Sequence, residues 1–376
     1  MEELGKSTTV ELRTSSVQGR HLFVPGTAAA EAVLLSVPLG QVLTAHRALG
    51  ETPELAELGE DVPDRVVLLV YLILHRYVRQ TNEWFTRLLP EHVPSAVALD
   101  DAALQSVANT PLYTAVQGKT RRLEQEFMAL REPVQLLFGD AAVAWFTPER
   151  YLWADVVYRS RVMEGPFAGE GEEDDGQDQH VEAIVPGIDF CNHGSAPNAR
   201  WQVRQGHVHL IANRALCNEE VLISYGDKGN QELMYQYGFA LEDNPHDALV
   251  VPLASVAPSM GVAVKLMHIA QAKGCRPLIA FGKEDGPTNE SYLFASLLAM
   301  DVDEVEAMDE REYDNILVSE RAAKRVLLSI LDDAAPPPAA TAQQEESGEA
   351  GQQQYLAIYV KNLQATIAKA RAILSS

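Results

Sequence analysis

The chain has 376 residues and a mass of 41.2 kDa, which is long enough for two or three packed units. Apolar residues make up 47% of it, so it can bury a core and is not a disordered protein. Its formal net charge of −23 argues against nucleic-acid binding, because phosphates would be repelled over most of the surface. The same charge would attract a basic protein partner, or it serves only to keep the surface solvated.

Three scattered cysteines, Cys191, Cys217 and Cys275, fit no zinc-binding spacing and are typical of reduced thiols inside a cell. The longest apolar run, 66–74, is too short to cross a bilayer. Residues 1–16 show neither a hydrophobic signal core nor an Arg-rich transit sequence. We therefore expect a monomer without metal or membrane association, in the cytoplasm or the chloroplast, with the nucleus as an alternative.

The first half of the chain alternates between a strand pattern and a helix pattern. Residues 21–24 and 32–38 predict strands, and Pro25-Gly26 between them predicts a turn. Apolar residues then recur at helical spacing from 56 to 131, with a break near Pro111. Another helix is predicted over 151–161.

The second half begins with a Gly-rich and acidic stretch, 165–179, which predicts a mobile loop. Short strands are predicted within 181–190, 199–212 and 219–226, and helices dominate 246–376. A low-complexity linker, 335–354, precedes the last helix. Strands and helices are thus segregated along the chain, which favours an α+β fold over a doubly wound sheet.

Two segments place polar groups beside apolar strands. In the first, Pro186–His193, a hydrophobic strand ends in Asp189, Asn192 and His193. A plain turn is the ordinary interpretation, because Asp and Asn often bond to their own backbone.

The second segment, Glu220–Asp227, has Tyr225 at the end of a strand. Gly229-Asn230 can start a helix after it, and Tyr237-Gly238-Phe239 can end that helix at a glycine. Taken alone, this is a strand, a turn and a helix with core tyrosines.

Together the two segments resemble SET-domain protein methyltransferases, in the branch of the Rubisco large-subunit methyltransferase and related non-histone enzymes. Ile188–His193 resembles the family's NH motif, Val221–Tyr225 its catalytic strand, and Tyr237-Gly238-Phe239 its closing motif. The helix at 153–161 is similar to the one that precedes the NH motif.

The resemblance implies a SET-domain β framework over 1–245, with a helical insertion at about 50–150 and a pseudoknot within 186–239. It also implies an all-α substrate-binding domain over 246–376. The implied activity is transfer of a methyl group from S-adenosylmethionine to a lysine of a non-histone protein.

The site residues are likewise implied by the resemblance. Tyr225 would be catalytic, and Tyr237 and Phe239 would line the substrate channel. Arg161 would bind the carboxylate of the cofactor, because a guanidinium can donate two hydrogen bonds to it. The remaining cofactor-binding residues would be Gly19, Arg20, Asp189, Asn192 and His193.

Two departures keep alternatives open. Gln18 stands where the family often has an acidic residue, and His21 adds bulk where the family has glycine. A catalytically weak SET fold that acts as a binding module is therefore one alternative, and histidine methylation by the same site is another. Histone methylation is disfavoured because no cysteine-rich zinc segment flanks the motifs.

Overall fold

The computed structural model describes residues 9–15, 19–59, 62–79, 88–167, 180–316, 319–337 and 350–376. By packing, the chain divides into two compact units. The first contains residues 1–93 and 120–227, and the second contains 94–119 and 228–376. The domain boundary predicted at 245 was placed by resemblance to the family and not by packing, and it stays a prediction.

The first unit is built around small sheets. The strands that form them are β1 (Glu11–Ser15), β2 (Gly19–Ala28), β3 (Val33–Pro38), β4 (Val162–Gly165), β5 (Val181–Ile184), β6 (Asn192–His193), β7 (Ala199–Arg204), β8 (His207–Ala212), β9 (Leu216–Glu220) and β10 (Leu222–Ile223). Their orders are β1-β2-β9, β3-β8-β7, β4-β5 and β6-β10. Inward side chains such as Leu22, Leu34 and Val208 are fully buried between them and form the core of this unit.

Helices separate the early strands from the later ones. Those between β3 and β4 are α1 (Ala45–Glu51), α2 (Asp64–Leu74), α3 (Asp101–Gln105), α4 (Pro111–Phe138), α5 (Ala142–Trp145) and α6 (Pro148–Arg161). The apolar run 66–74 is buried throughout α2, as expected for a helix that is apolar on every side. Within the described residues, no helix combines the length and the apolarity that a membrane crossing requires. The predicted break at Pro111 is confirmed, because this proline begins α4.

The hairpin of β7 and β8 follows the sequence prediction. Burial alternates along β7 and from 207 to 210 in β8, and the pair is antiparallel from Ala199 and Ala212 to Arg204 and His207. Gln205 and Gly206 connect them with φ values of 51° and 71°. Two consecutive positive φ values are typical of the tight two-residue turn that matches the twist of a hairpin.

The turn predicted at Pro25-Gly26 is wrong, because β2 continues through these residues to Ala28. The register with β9 shifts between Val24 and Thr27, so the two residues form a bulge. A bulge accommodates proline in a strand because the ladder there needs no N–H donor. Gly26 has a φ of 103°, and its N–H donates to Asn218 Oδ1 at 2.8 Å.

The second unit is mainly helical, as predicted. After α3 and the start of α4, its helices are α7 (Asn230–Tyr237), α8 (Leu253–Val256), α9 (Met260–Ala272), α10 (Asn289–Leu298), α11 (Val302–Ala307), α12 (Glu320–Asp333) and α13 (Ala350–Ser375). The prediction that 246–376 is all-α is wrong in one respect, since an antiparallel sheet lies there. It consists of β11 (Ala248–Pro252), β12 (Leu278–Gly282) and β13 (Gly286–Pro287).

Three sequence predictions fall wholly or partly outside the described residues. They are the helix expected around 81–90, the loop at 165–179 and the linker at 335–354, of which 80–87, 168–179 and 338–349 are not described.

A buried histidine makes the stability of the first unit depend on pH. His75 is 3% exposed in the π-helical turn after α2, its ring stacks on Tyr71 at 4.0 Å, and its Nε2 lies 3.1 Å from Thr52 Oγ1. Burial lowers the pKa of His75 from 6.5 to about 4, and the charge of Arg79 adds to this. As the pH falls from 6.5 to 4, the unfolded chain takes up the proton while the folded chain does not. Stability present above pH 6.5 is therefore lost in this window, by at most about 1.4 kcal/mol per pH unit from this group.

We expect the urea midpoint of the wild type to fall more between pH 7 and pH 5 than that of His75→Gln. Urea titrations at three pH values would measure the difference. His92→Gln, which changes an exposed histidine, serves as the control and should follow the wild type. Equal pH dependence in the wild type and His75→Gln would contradict the assignment.

Candidate functional site

The two polar segments that the sequence singled out lie side by side in the first unit. β6 and β10 pair in parallel, with Asn192 opposite Leu222 and His193 opposite Ile223. Buried Asn198 connects the surrounding backbone: its Nδ2 donates to Glu220 O and its Oδ1 accepts from Leu222 N, both at 2.8 Å. Because β10 ends at Ile223, this pairing brings Tyr225 next to the NH motif.

Tyr225 is fixed by two hydrogen bonds. Its backbone N–H donates to His193 Nδ1 at 3.1 Å, and its hydroxyl donates to the carbonyl oxygen of Cys191 at 2.7 Å. The ring centroids of His193 and Tyr225 are 5.3 Å apart. Since Nδ1 of His193 accepts, the neutral ring carries its proton on Nε2. A phenol oxygen that donates its proton in a hydrogen bond also carries lone pairs of its own.

Arg161 and Asp189 form a buried ion pair behind this arrangement. Arg161 Nη1 donates to Asp189 Oδ2 at 2.6 Å and to the Asp189 carbonyl at 3.0 Å. The Asp189 side chain is 0% exposed and that of Arg161 is 13% exposed. Burial raises the pKa of Asp189, and the positive charge of Arg161 opposes that rise. Asp189 Oδ1 also accepts from Gly187 N at 2.8 Å, so both carboxylate oxygens are used within the protein.

One donor of Arg161 is left over. Its Nε is buried and has no hydrogen-bond partner among the described residues, and the same holds for Arg159 Nε. A buried donor without a partner is costly, so such groups point to a ligand or a water molecule. The resemblance implies that Arg161 binds the carboxylate of the cofactor, and the buried Nε is a donor that could do so.

Arg20 lies close enough to Arg161 for the two guanidinium groups to repel each other. Burial lowers the pKa of Arg20, the charges of Arg161 and Arg76 lower it further, and the carboxylates of Asp189 and Glu91 oppose this fall. Arg20 Nη1 donates to the Leu88 carbonyl at 2.5 Å. Adjacent Gly19 has a φ of 67°, and among the described residues other than its chain neighbours no heavy atom lies within 4 Å of where a Cβ would stand. A carboxylate-bearing ligand therefore finds positive charge here and room to approach the backbone.

Asn192 has a partner of its own. Its Nδ2 donates to Glu220 Oε1 at 2.7 Å, which connects β6 to the end of β9. The side chain thus holds the strands in place, and a role in cofactor binding stays a prediction. Among the described residues, no group of three or more His, Cys, Asp or Glu could hold a metal ion.

Tyr237 and Phe239, expected in the substrate channel, belong to the second unit. Gly238 ends α7 with a φ of 75°, and a Cβ there would lie 2.4 Å from the Pro94 carbonyl. The predicted glycine stop is therefore confirmed and sterically required. The Tyr237 and Phe239 ring centroids are 6.1 Å apart, and Phe239 lies 6.3 Å from Tyr355. Burial raises the pKa of Tyr237 to about 12, and its part in a channel stays a prediction.

Of the two departures from the family pattern, Gln18 and His21, the structure describes only the second. Gln18 lies outside the described residues. His21 is buried, at 7% exposure, and its Nδ1 is 3.4 Å from the Gly19 carbonyl. The ring of His21 is packed inside the first unit, and the backbone that a ligand could approach is that of Gly19.

Sequence reasoning missed the carbonyl of Cys191, which holds the Tyr225 hydroxyl. The nearby Asp189 carbonyl accepts instead from Arg161. A main-chain oxygen has no signature in the sequence. The hydrogen bonds of Asn198 to Glu220 and Leu222 likewise have no local signature in the sequence.

No protein-family model matches the chain. SET domain-containing protein 8 of Schizosaccharomyces pombe is 26% identical over 242 residues, which cover 62% of this chain and 52% of that protein. Ribosomal lysine N-methyltransferase set10 of the same organism is 24% identical over 232 residues, which cover 60% of this chain and 40% of that protein. The chain therefore spans about half the length of these curated relatives.

A crystal structure of the SET domain of LSMT bound to lysine and AdoHcy is also similar. The TM-score is 0.77 at 15% sequence identity, over 100% of this chain and 88% of that chain. The α+β SET-domain fold predicted from the sequence is confirmed by this likeness. With the two relatives, it also confirms the resemblance to SET-domain methyltransferases of the Rubisco large-subunit methyltransferase-like branch.

Proposed function

We propose that this chain is an S-adenosylmethionine-dependent methyltransferase that methylates a lysine of a non-histone protein. The observation that carries the proposal is the pairing of the NH motif with the strand before Tyr225, which fixes the tyrosine hydroxyl on the Cys191 carbonyl. One relative bears the name of a ribosomal lysine methyltransferase, and the similar LSMT structure contains lysine and AdoHcy.

The residues around Arg161 fit the cofactor. Its unpartnered Nε would donate to the carboxylate of S-adenosylmethionine, close to the guanidinium group of Arg20. Gly19 would let the cofactor approach the backbone, since no described residue beyond its chain neighbours lies within 4 Å of the Cβ position. When bound, S-adenosylmethionine supplies the methyl group.

Tyr225 would orient the lysine amine. A lysine is mostly protonated near neutral pH, and moving it out of water lowers its pKa and favours the neutral form. The Tyr225 hydroxyl donates its hydrogen bond to the Cys191 carbonyl, so the phenol oxygen would accept a hydrogen bond from an N–H of the amine. An amine held in this way has its lone pair directed for attack, and such alignment is a large part of the rate enhancement.

Cofactor binding tests the proposal directly. We expect calorimetric titration of the purified chain with S-adenosylmethionine and S-adenosylhomocysteine to give micromolar dissociation constants for both. Radiolabelled methyl transfer into a cell extract, followed by identification of the modified residue, would then separate lysine from histidine as the target. A folded chain that binds neither compound would contradict the proposal and favour the binding module.

Asn192→Ala should weaken cofactor binding by about tenfold, which corresponds to roughly 1.4 kcal/mol. The reason is that the bond to Glu220 is lost, so the side chain of residue 192 no longer ties the NH motif to the end of β9. The same calorimetric titration measures the change. Asn213→Ala is a matched control, because that exposed asparagine bonds Arg200 and the Pro197 carbonyl on the hairpin side. An unchanged dissociation constant in Asn192→Ala would show that the NH motif is misplaced.

The proposal extends to a monomeric chain that binds no nucleic acid and acts in the cytoplasm or the chloroplast, with the nucleus as an alternative. The net charge of −23 supports the exclusion of nucleic acid.

A further inference from the structure

Helix α9 in the second unit carries an apolar row that faces solvent. Met260, Val264 and Met267 follow one another at helical spacing and so lie on one face. Their relative exposures are 79%, 44% and 51%. The opposite face of the helix is buried in the core of this unit. Single exposed apolar residues are common, but an aligned row of them marks a surface that another molecule covers.

An acidic segment, 301–316, runs along the same helix. It contains eight Asp or Glu residues and one basic residue, Arg311, and all eight acidic residues are exposed. Three contacts hold it beside the start, middle and end of the helix: Ser259 Oγ to Glu306 Oε1 at 2.5 Å, Lys265 Nζ to the Met308 carbonyl at 2.6 Å, and Lys273 Nζ to Asp314 Oδ1 at 3.4 Å.

The charge of this segment is almost uncompensated. Within the described part of the chain, Asp314 is the one carboxylate of the segment that lies in an ion pair with a lysine or arginine. Lys265, the other neighbouring cation, donates to a main-chain carbonyl instead. The apolar row is therefore bordered along the helix by unpaired negative charge.

We propose that the row Met260–Val264–Met267, together with the acidic segment 301–316, is a docking surface for a basic amphipathic segment of a partner protein. The apolar side chains of that segment would cover the row, and its lysines or arginines would meet the carboxylates. Methionine suits such a surface because its flexible, polarizable side chain adapts to different partners.

Charge selects this occupant over a second copy of the chain. Each copy has a net charge of −23, and this surface would bring eight carboxylates against a like-charged chain. The inference concerns the second unit by itself and does not depend on methyl transfer.

The test uses the full chain and a synthetic peptide of leucine and lysine. A peptide of about 18 residues, roughly five helical turns, would carry the leucines on one helical face and the lysines on the other. We expect fluorescence anisotropy to show binding that weakens with added salt. The double variant Met260→Ser, Met267→Ser should weaken it by at least about tenfold. A double variant Glu304→Gln, Glu310→Gln should weaken it and reduce the salt dependence.

Met128→Ser is the matched control, since Met128 is 62% exposed in the first unit. Equal binding of a scrambled peptide, equal binding by the Met260→Ser, Met267→Ser variant, or no binding at all would overturn the proposal. A wild-type dimer in sedimentation velocity that this variant dissociates would overturn it too, and would make the row a self-interface. The Met260→Ser, Met267→Ser variant should bind S-adenosylmethionine like the wild type. Failure of peptide docking is therefore distinct from failure of the proposed function.

Discussion

Tyr225→Phe should lower methyl transfer by on the order of 100-fold, because a preorganised hydrogen-bonding group at the reacting centre is lost. The hydroxyl is held by the Cys191 carbonyl, and its oxygen is the acceptor proposed to orient the lysine amine. The aromatic ring is retained, and so is the bond from the Tyr225 N–H to His193. S-adenosylmethionine should therefore bind to the variant within about twofold of the wild-type dissociation constant.

Single-turnover transfer of a radiolabelled methyl group to extract proteins, alongside calorimetric titration of the cofactor, separates the two effects. Tyr113→Phe is a suitable control. The Tyr113 hydroxyl lies in the second unit, where it accepts a long, exposed hydrogen bond of 3.4 Å from Gln105 Nε2. Normal turnover in Tyr225→Phe would remove Tyr225 from the catalytic role. Loss of cofactor binding in that variant would assign the tyrosine to the cofactor site instead.

Strands with a strong local sequence pattern could be predicted. Strands whose conformation is set by residues far away in the sequence could not. Alternation along 199–212 and a Gly at the turn were enough to identify the β7–β8 hairpin. Pro25-Gly26 has the local signature of a turn, yet the chain passes through it as a bulge. Gly26 is bonded there by Asn218, which is 192 residues away in the sequence. The short β11–β13 sheet was missed for a related reason, because each of its strands has five residues or fewer among strongly helical neighbours.

The candidate site was predicted through resemblance, and its internal bonding was not. Ion pairing of Arg161 with Asp189 could not be read from two residues 28 positions apart. β6 and β10 have two residues each, which is too few for any periodicity. The carbonyl of Cys191 has no side-chain signature at all. The sequence thus pointed to the candidate catalytic and binding groups, whereas the contacts that hold them require the folded chain.

Arg161→Gln is expected to destabilise the first unit by about 3–5 kcal/mol, because removing one partner of a buried ion pair leaves the other charge buried alone. Asp189 has no exposed side-chain surface, so its carboxylate cannot turn to solvent for compensation. The same variant should bind S-adenosylmethionine at least about tenfold more weakly, since the unpartnered Nε is lost. Urea unfolding and calorimetric titration would measure the two effects in one preparation.

A second substitution separates the structural role of Arg161 from its role in binding. Asp189→Asn, added to Arg161→Gln, removes the stranded charge while keeping an oxygen that can accept from Gly187 N. We expect the double variant to recover most of the lost stability and to remain defective in cofactor binding. If it instead bound S-adenosylmethionine like the wild type, Arg161 would serve only to hold Asp189. Since Arg161 Nε has no partner within the described residues and stands among other guanidinium groups, the persistent binding defect is the expected outcome.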